Sequence, residues 1–235
     1  MSGKSKAVLG TALAATLIVA LGAAKAESGE RVERVAYASI GSQVRPPIGW
    51  VEFCNENPKE CTVSSTEPRD VVLTPTVWKD LVRVNRWVNE TIQPVTDMDH
   101  WGVVERWSYP DDGKGDCEDY VLLKRRMLIQ AGWPREALLI TVVRDKKGDG
   151  HAVLTVKTDK GEFILDNQAE EVLLWSDTGY RFVKRQSQSN PNLWVALGDP
   201  RPPTSTASPR AEAEIFLPEV QVTLRIPQIQ VSFIR

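Results

Sequence analysis

Histidine is scarce in this chain, with two in 235 residues, and cysteine is nearly as rare, with three. Any imidazole base must therefore be His100 or His151. Beyond residue 26 no apolar run is long enough to span a bilayer, so no membrane span is expected in the rest of the chain. There is no extended basic tract and the formal net charge is −2, so nucleic acid is not an expected partner. No internal repeat recurs at solenoid spacing.

The first 26 residues have the layout of an export signal. Lys4 and Lys6 precede an apolar run from Ala7 to Ala24, and an Ala-Lys-Ala site ends at Ala26, so residues 1–26 read as a signal peptide. A run of this length also suits an uncleaved anchor, but the small residues at its end favour cleavage. Export changes how the cysteines are read. Cys54 and Cys61, in CNENPKEC, are close enough to close a small loop as a disulfide, which leaves Cys117 without a partner. A buried inert cysteine or an intermolecular bridge are the plain alternatives, and neither accounts for where Cys117 lies.

That place is the start of a helix. In KGDCEDYVLLKRRMLIQAGWP, apolar residues Val121, Leu122, Met127, Leu128 and Ile129 recur on one side, and Gly132 closes the segment. Cys117 falls in the first turn, where unpaired backbone N–H groups favour a thiolate. Asp116, Glu118 and Asp119 oppose that effect. A second amphipathic helix is expected over residues 77–92, with Thr76 before it. After Pro134 the pattern turns to strands. ALLITVVRD, GHAVLTVKTD and GEFILDNQ are separated by Lys147-Gly148-Asp149-Gly150 and Asp159-Lys160-Gly161, which makes consecutive antiparallel strands, and YRFVKRQS adds another.

Helices followed by an antiparallel sheet indicate an α+β domain over residues 76–197. Residues 27–75 read as an irregular N-terminal segment stapled by the Cys54–Cys61 bridge. Residues 198–235 read as a Pro-rich linker and an extended tail, whose Pro227 restricts it to a sheet edge or to an extended segment that pairs with something.

An active thiol needs a base, and the base needs an orienting group. His151 opens one strand and Asp166 ends its antiparallel neighbour, so the two should come out side by side. With Cys117 facing that sheet edge they form a Cys-His-Asp set, and the Cys117 backbone N–H becomes an oxyanion donor. A histidine after a glycine-rich turn is commonly only solvated, and an aspartate before asparagine is commonly a turn residue. The joint arrangement is what carries the reading. His100, in DMDHWG, is the rival base, with no orienting partner apparent in its neighbourhood. Trp101, Trp107 and Trp133 lie near the cysteine in sequence and are candidates for a cleft wall, although tryptophans more often pack in a core.

GDCEDYVLLKRRMLIQAGWP, then GHAVLTV, then FILDN, resembles the bacterial transglutaminase-like cysteine proteinases, which include the LapG-type periplasmic proteases; the resemblance covers residues 76–185. It implies a papain/transglutaminase-like fold with the nucleophile helix on an antiparallel sheet, and the roles of Cys117, His151 and Asp166 given above. It also implies a protein substrate, with a surface adhesin as the model case, and a periplasmic or secreted enzyme. The family resembled is calcium-dependent, with the two acids flanking its cysteine among the ligands. Asp116 and Glu118 are therefore the expected Ca²⁺ ligands, and Asp97 and Asp99 are further oxygen donors. The Cys54/Cys61 pair and the tail are not part of the family pattern. A non-catalytic binding module on the same fold, or acyl transfer to amines, would use the same sequence features.

Overall fold

The computed structural model describes residues 36–65 and 67–198. The signal-peptide reading and nearly all of the tail lie outside them. Strand β1 (Ile40–Val44) leads into helix α1 (Ile48–Glu56), and helix α2 (Pro75–Thr91) follows a loop closed by the Cys54–Cys61 disulfide. Next come β2 (Gln93–Pro94), α3 (Asp97–Trp101), β3 (Lys114–Gly115) and α4 (Cys117–Gln130). The remainder is β4 (Leu138–Arg144), β5 (Gly150–Thr158), β6 (Gly161–Leu165), β7 (Leu173–Leu174), β8 (Arg181–Gln186) and β9 (Trp194–Leu197). Seven strands form one antiparallel sheet in the order β1-β9-β8-β4-β5-β6-β7, and β2 pairs with β3 in parallel. Among the described residues no helix is long and apolar enough to cross a membrane.

The expected α+β architecture is present, with helix α4 packed on strand β5. Two of its helices show how local chemistry sets their ends. Pro75 takes the first position of α2, where its missing N–H is not needed, and the Thr74 side chain accepts from Val77 N at 3.2 Å. The cap is thus two residues earlier than Thr76. Helix α4 is rich in Leu, Lys, Arg and Met, all good helix formers. It ends in a Schellman arrangement: Gly132 sits at φ +89°, its N–H reaches Ile129 O at 2.9 Å, and Trp133 N reaches Leu128 O at 3.1 Å.

Strand β5 is buried on both faces. Ala152, Leu154 and Val156 meet the helices, while Val153 joins Val143, Ile164, Trp175, Tyr180 and Phe182 in a second cluster on the other side. Each large apolar side chain so enclosed contributes about 1.5–3 kcal/mol. The reading of residues 27–75 as irregular is corrected for the described part. β1 pairs with β9, and Trp50 and Phe53 of α1 lie in the main core against Trp107 and Tyr109. That helix is short, and its packing depends on residues far along the chain, so local periodicity does not reveal it. Gly49 is required there, since a Cβ would come within 2.2 Å of the Trp107 ring.

The disulfide loop also anchors charge. Glu60, beside Cys61, accepts from Arg135 at 2.7 Å and from Arg125 at 3.3 Å. Arg125 is buried in α4 and also donates from Nε to Leu138 O at 3.1 Å. Burial pushes the Glu60 carboxyl up, but Arg135 and Arg125 outweigh that and hold it below its usual range. Removing the carboxylate leaves a buried guanidinium without its anion. Glu60→Ala should therefore cost about 3–5 kcal/mol in urea unfolding. A loss below about 1 kcal/mol, as for an exposed pair, would contradict this account.

Candidate active site

Strand β5 pairs with β6 in a register that sets Leu154 opposite Leu165, so Asp166, the first residue past β6, comes out opposite Val153, two residues along β5 from His151. His151 Nε2 lies 2.8 Å from Asp166 Oδ1, with both residues buried. The other carboxylate oxygen accepts from the Tyr180 hydroxyl at 2.6 Å, and the Tyr180 ring meets the imidazole edge-on at 5.8 Å. Burial alone would raise the Asp166 carboxyl. The His151 bond and charge, Tyr180 and the Gln168 backbone N–H together hold it below the usual range. The imidazole's Nδ1 faces the Gln168 side chain, 3.4 Å away.

Cys117 opens α4, half-buried, and is the one cysteine outside the disulfide. The backbone of Ala152, the residue after His151, lies at its sulfur and favours the thiolate. The thiol's own hydrogen bond goes to Glu118 Oε2 at 3.2 Å. Of the opposed influences at this helix start, the acidic one wins: burial, then the Glu118 charge and hydrogen bond, push the thiol well above its ordinary value.

Three carboxylates gather beside it. Asp97, Asp116 and Glu118 each offer an oxygen, and these atoms lie within 4.8 Å of one another. Asp116 Oδ2 accepts from Asp97 N at 3.2 Å, while Asp116 Oδ1 is buried with no hydrogen-bond partner among the described residues. Asp97 accepts from Arg106 N. Burial and then the Asp116 charge push the Glu118 carboxyl up to about 10. Such a set of hard oxygens, crowded and partly unpartnered, fits a Ca²⁺-sized cation. Asp99, the other expected donor, instead accepts from Thr96 at the start of α3. Asp119 was legible only as an acid near the thiol. It is fully buried, accepts from Ser108 N at 2.8 Å, and is pushed up to about 7, chiefly by burial. Gly115 makes room for it, because a Cβ there would sit 2.6 Å from Asp119 Oδ2.

The rival base has more support than its sequence suggested. His100 Nε2 lies 2.8 Å from Asp112 Oδ2, and its ring stacks on Trp101. No described contact links it to Cys117. Of the three candidate cleft tryptophans, Trp107 is a core residue against Trp50 and Trp194, Trp133 packs against the core, and Trp101 is exposed. A cavity of about 350 Å³ opens between α2 and the loop after β6, lined by Arg86, Asn89, Glu90, Asn167 and Gln168 among others. Gln168 joins that cavity to the imidazole.

A family model for the bacterial transglutaminase-like cysteine proteinases matches residues 40–202. The chain belongs to this family. Among solved structures, Legionella pneumophila LapG in its EGTA-treated form is 27% identical, with 52% of this chain and 70% of that one covered and a TM-score of 0.43. The calcium-bound form of the same protein is 25% identical, covering 55% of this chain and 74% of that one at a TM-score of 0.45. Comparison with curated proteins gives no match. As a transglutaminase-like cysteine proteinase the chain is a cysteine peptidase, and its substrate is a protein.

One buried group near this peptidase's site has no evident partner. Lys124, two turns along α4 from Cys117, is fully buried, and its Nζ makes no hydrogen bond among the described residues. The Tyr120 ring lies 5.9 Å away. Burial lowers the amine from 10.5 to about 7, against the opposing pull of Asp166. A lysine whose folded value is depressed penalises folding in full below about 7, and the penalty fades as pH rises toward 10.5. Lys124→Met should therefore raise the urea midpoint at pH 7, by about 1–3 kcal/mol in stability. The gap to wild type should narrow between pH 7 and 10. A variant less stable than wild type at pH 7 would show instead that the ammonium is held by favourable interactions.

Proposed function

We propose that this cysteine peptidase is a calcium-dependent endopeptidase of the cell envelope that uses Cys117, His151 and Asp166. The observation carrying the proposal is the buried His151–Asp166 bond, set on the strand whose next residue has its backbone at the Cys117 sulfur. With Nε2–H given to Asp166, Nδ1 carries the lone pair, which faces the Gln168 amide and is the site that would take a proton. His151 would remove the proton from Cys117, and the sulfur would attack the peptide carbonyl carbon. The resulting oxyanion would lie against the N–H groups at the start of α4, Cys117 N–H among them. Protonated His151 would then give its proton to the leaving amine, and water would release the acyl group from sulfur. Asp166, itself fixed by Tyr180, would hold the imidazole in one tautomer throughout. Gln168, beside the imidazole, also lines the cavity between α2 and the loop after β6, where part of the polypeptide would lie.

Asp97, Asp116 and Glu118 would hold the calcium. When bound there, Ca²⁺ supplies positive charge that offsets the carboxylates around the thiol. Glu118, ionised and turned to that site, would no longer hold the thiol proton. Export to the periplasm or beyond is supported by the Cys54–Cys61 disulfide, a bond that persists in oxidising compartments. An envelope or surface protein is then the natural substrate.

Incubating the purified chain, with calcium, with envelope extracts tests this reading. Wild type should cleave a small set of proteins, Cys117→Ala should cleave none and retain the target, and His151→Ala should slow cleavage about 10²–10⁴-fold. Undiminished cleavage by Cys117→Ala would end the proposal. In isothermal titration wild type should bind Ca²⁺ and Asp116→Ala should lose it; equal binding by both would remove calcium from the mechanism.

A further inference from the structure

Helix α2 carries two asparagines one turn apart on the side that faces the loop after β6. Asn85 is fully buried, on the same helix face as Leu81, Val84 and Val88. A polar side chain in that stripe is unexpected unless it is fully hydrogen-bonded. Its Oδ1 accepts from Asp166 N at 3.1 Å, and its Nδ2 donates to Ala169 O at 3.3 Å and Glu170 O at 3.2 Å. Asn89 donates to Asp166 O at 2.8 Å and to Ala169 O at 3.3 Å. Both backbone polar groups of Asp166 are thus bound by α2, and the loop is gripped again three and four residues later. The same loop supplies Gln168, whose N–H reaches Asp166 Oδ1 at 2.9 Å and whose side chain meets His151 Nδ1.

We propose that Asn85 and Asn89 are positioning residues for the reaction: they clamp the Asp166–Glu170 loop so that the carboxylate holds His151 Nε2 and leaves Nδ1 as the atom that takes the Cys117 proton. The inference rests on the triad reading above and adds to it the helix that holds the triad's third member. Asp166 has no strand of its own to fix it, since β6 ends at Leu165. Side-chain amides suit this task because one group both accepts and donates, matching a loop that presents N–H and C=O together. A displacement of about 1 Å at a reacting group costs on the order of 10²-fold in rate, so the clamp acts on rate through His151 without touching substrate.

The test uses the full chain with excess calcium and iodoacetamide as probe, which reads the state of Cys117 and needs no substrate. Its alkylation rate is followed against pH for wild type, for His151→Ala as the reference without imidazole, and for Asn85→Leu and Asn89→Ala. Asn85→Leu keeps the core filled, and Asn89 is only half-buried, so the pair guards against simple misfolding. Alkylation of wild type near pH 6 should exceed that of His151→Ala. Both asparagine variants should fall toward that reference, by about 10²-fold, and the low-field proton signal of the His151–Asp166 bond should weaken with them. Unchanged pH profiles and proton signal, with only a lower melting temperature, would reduce the asparagines to a purely structural role and overturn the inference. Identical profiles for wild type and His151→Ala would overturn the triad itself and the clamp with it.

Discussion

A helix with five charged side chains in fourteen residues is enclosed along most of its length, and much of the structure follows from that constraint. Glu118, Asp119, Lys124 and Arg125 of α4 are all buried. Desolvating each charge costs several kcal/mol unless a partner compensates, so Arg125 and Asp119 are met by chemistry brought from elsewhere in the chain, whereas Lys124 makes no hydrogen bond among the described residues. Arg125 draws Glu60 and with it the disulfide loop, and Asp119 takes the Ser108 backbone and requires a glycine at 115. Glu118 has Asp116 and Asp97 beside it, like charges that raise its carboxyl instead of relieving it. Of the two acids in the first turn of α4, Glu118 is raised further than Asp119, and it is the one that holds the thiol. The conflict between a helix start that favours a thiolate and carboxylates that oppose it is therefore built into the packing, and a cation is the simplest group that would resolve it.

The sheet solves a different problem. A histidine and an aspartate fifteen residues apart can meet only if a hairpin brings them together, and antiparallel register does this without any long connection. Register alone fixes the backbone of His151 but not that of Asp166, which lies past the last ladder bond. Tyr180 and Gln168 bind its oxygens, and α2 binds its main chain. Helix α2 thus joins a face to the core through Leu81, Val84 and Val88 while presenting two amides to the loop. One element serves stability and orientation at once, because residues four apart share a helix face.

Much of this was legible in the sequence because it is written in short-range pattern. Turn residues between alternating strands gave the hairpins, the apolar spacing and Gly132 gave α4, and an odd cysteine at a helix start, in an order shared with a known family, gave the reaction class. What escaped was whatever depends on long-range burial. Charged residues in a helix read as its wet side, so the enclosure of Lys124 and Arg125 was invisible. Asn85 sat among apolar neighbours without any local sign that it bonds a loop eighty residues away. Asp97 was one of two acids in its segment, and only the fold decides that it joins Asp116 while Asp99 accepts from Thr96, the cap of a short helix. His100 has its carboxylate in Asp112, twelve residues on, within a loop no periodicity describes.

The His100–Asp112 pair shows why geometry rather than composition has to choose the base. Both histidines contact a carboxylate at 2.8 Å, so a rule that seeks a His–Asp contact cannot separate them. Burial and what lies beyond the ring can. Asp112 is half-exposed, so solvent screens its charge and the pair can hold neither a fixed tautomer nor a fixed orientation firmly. Asp166 is closed off, bonded through both oxygens and both backbone groups, and its histidine belongs to the strand that touches the sulfur. An imidazole so held loses little freedom when it accepts a proton and gains most from the adjacent negative charge. That difference in preorganisation, not the presence of the contact, is why His151 and not His100 is the base we propose.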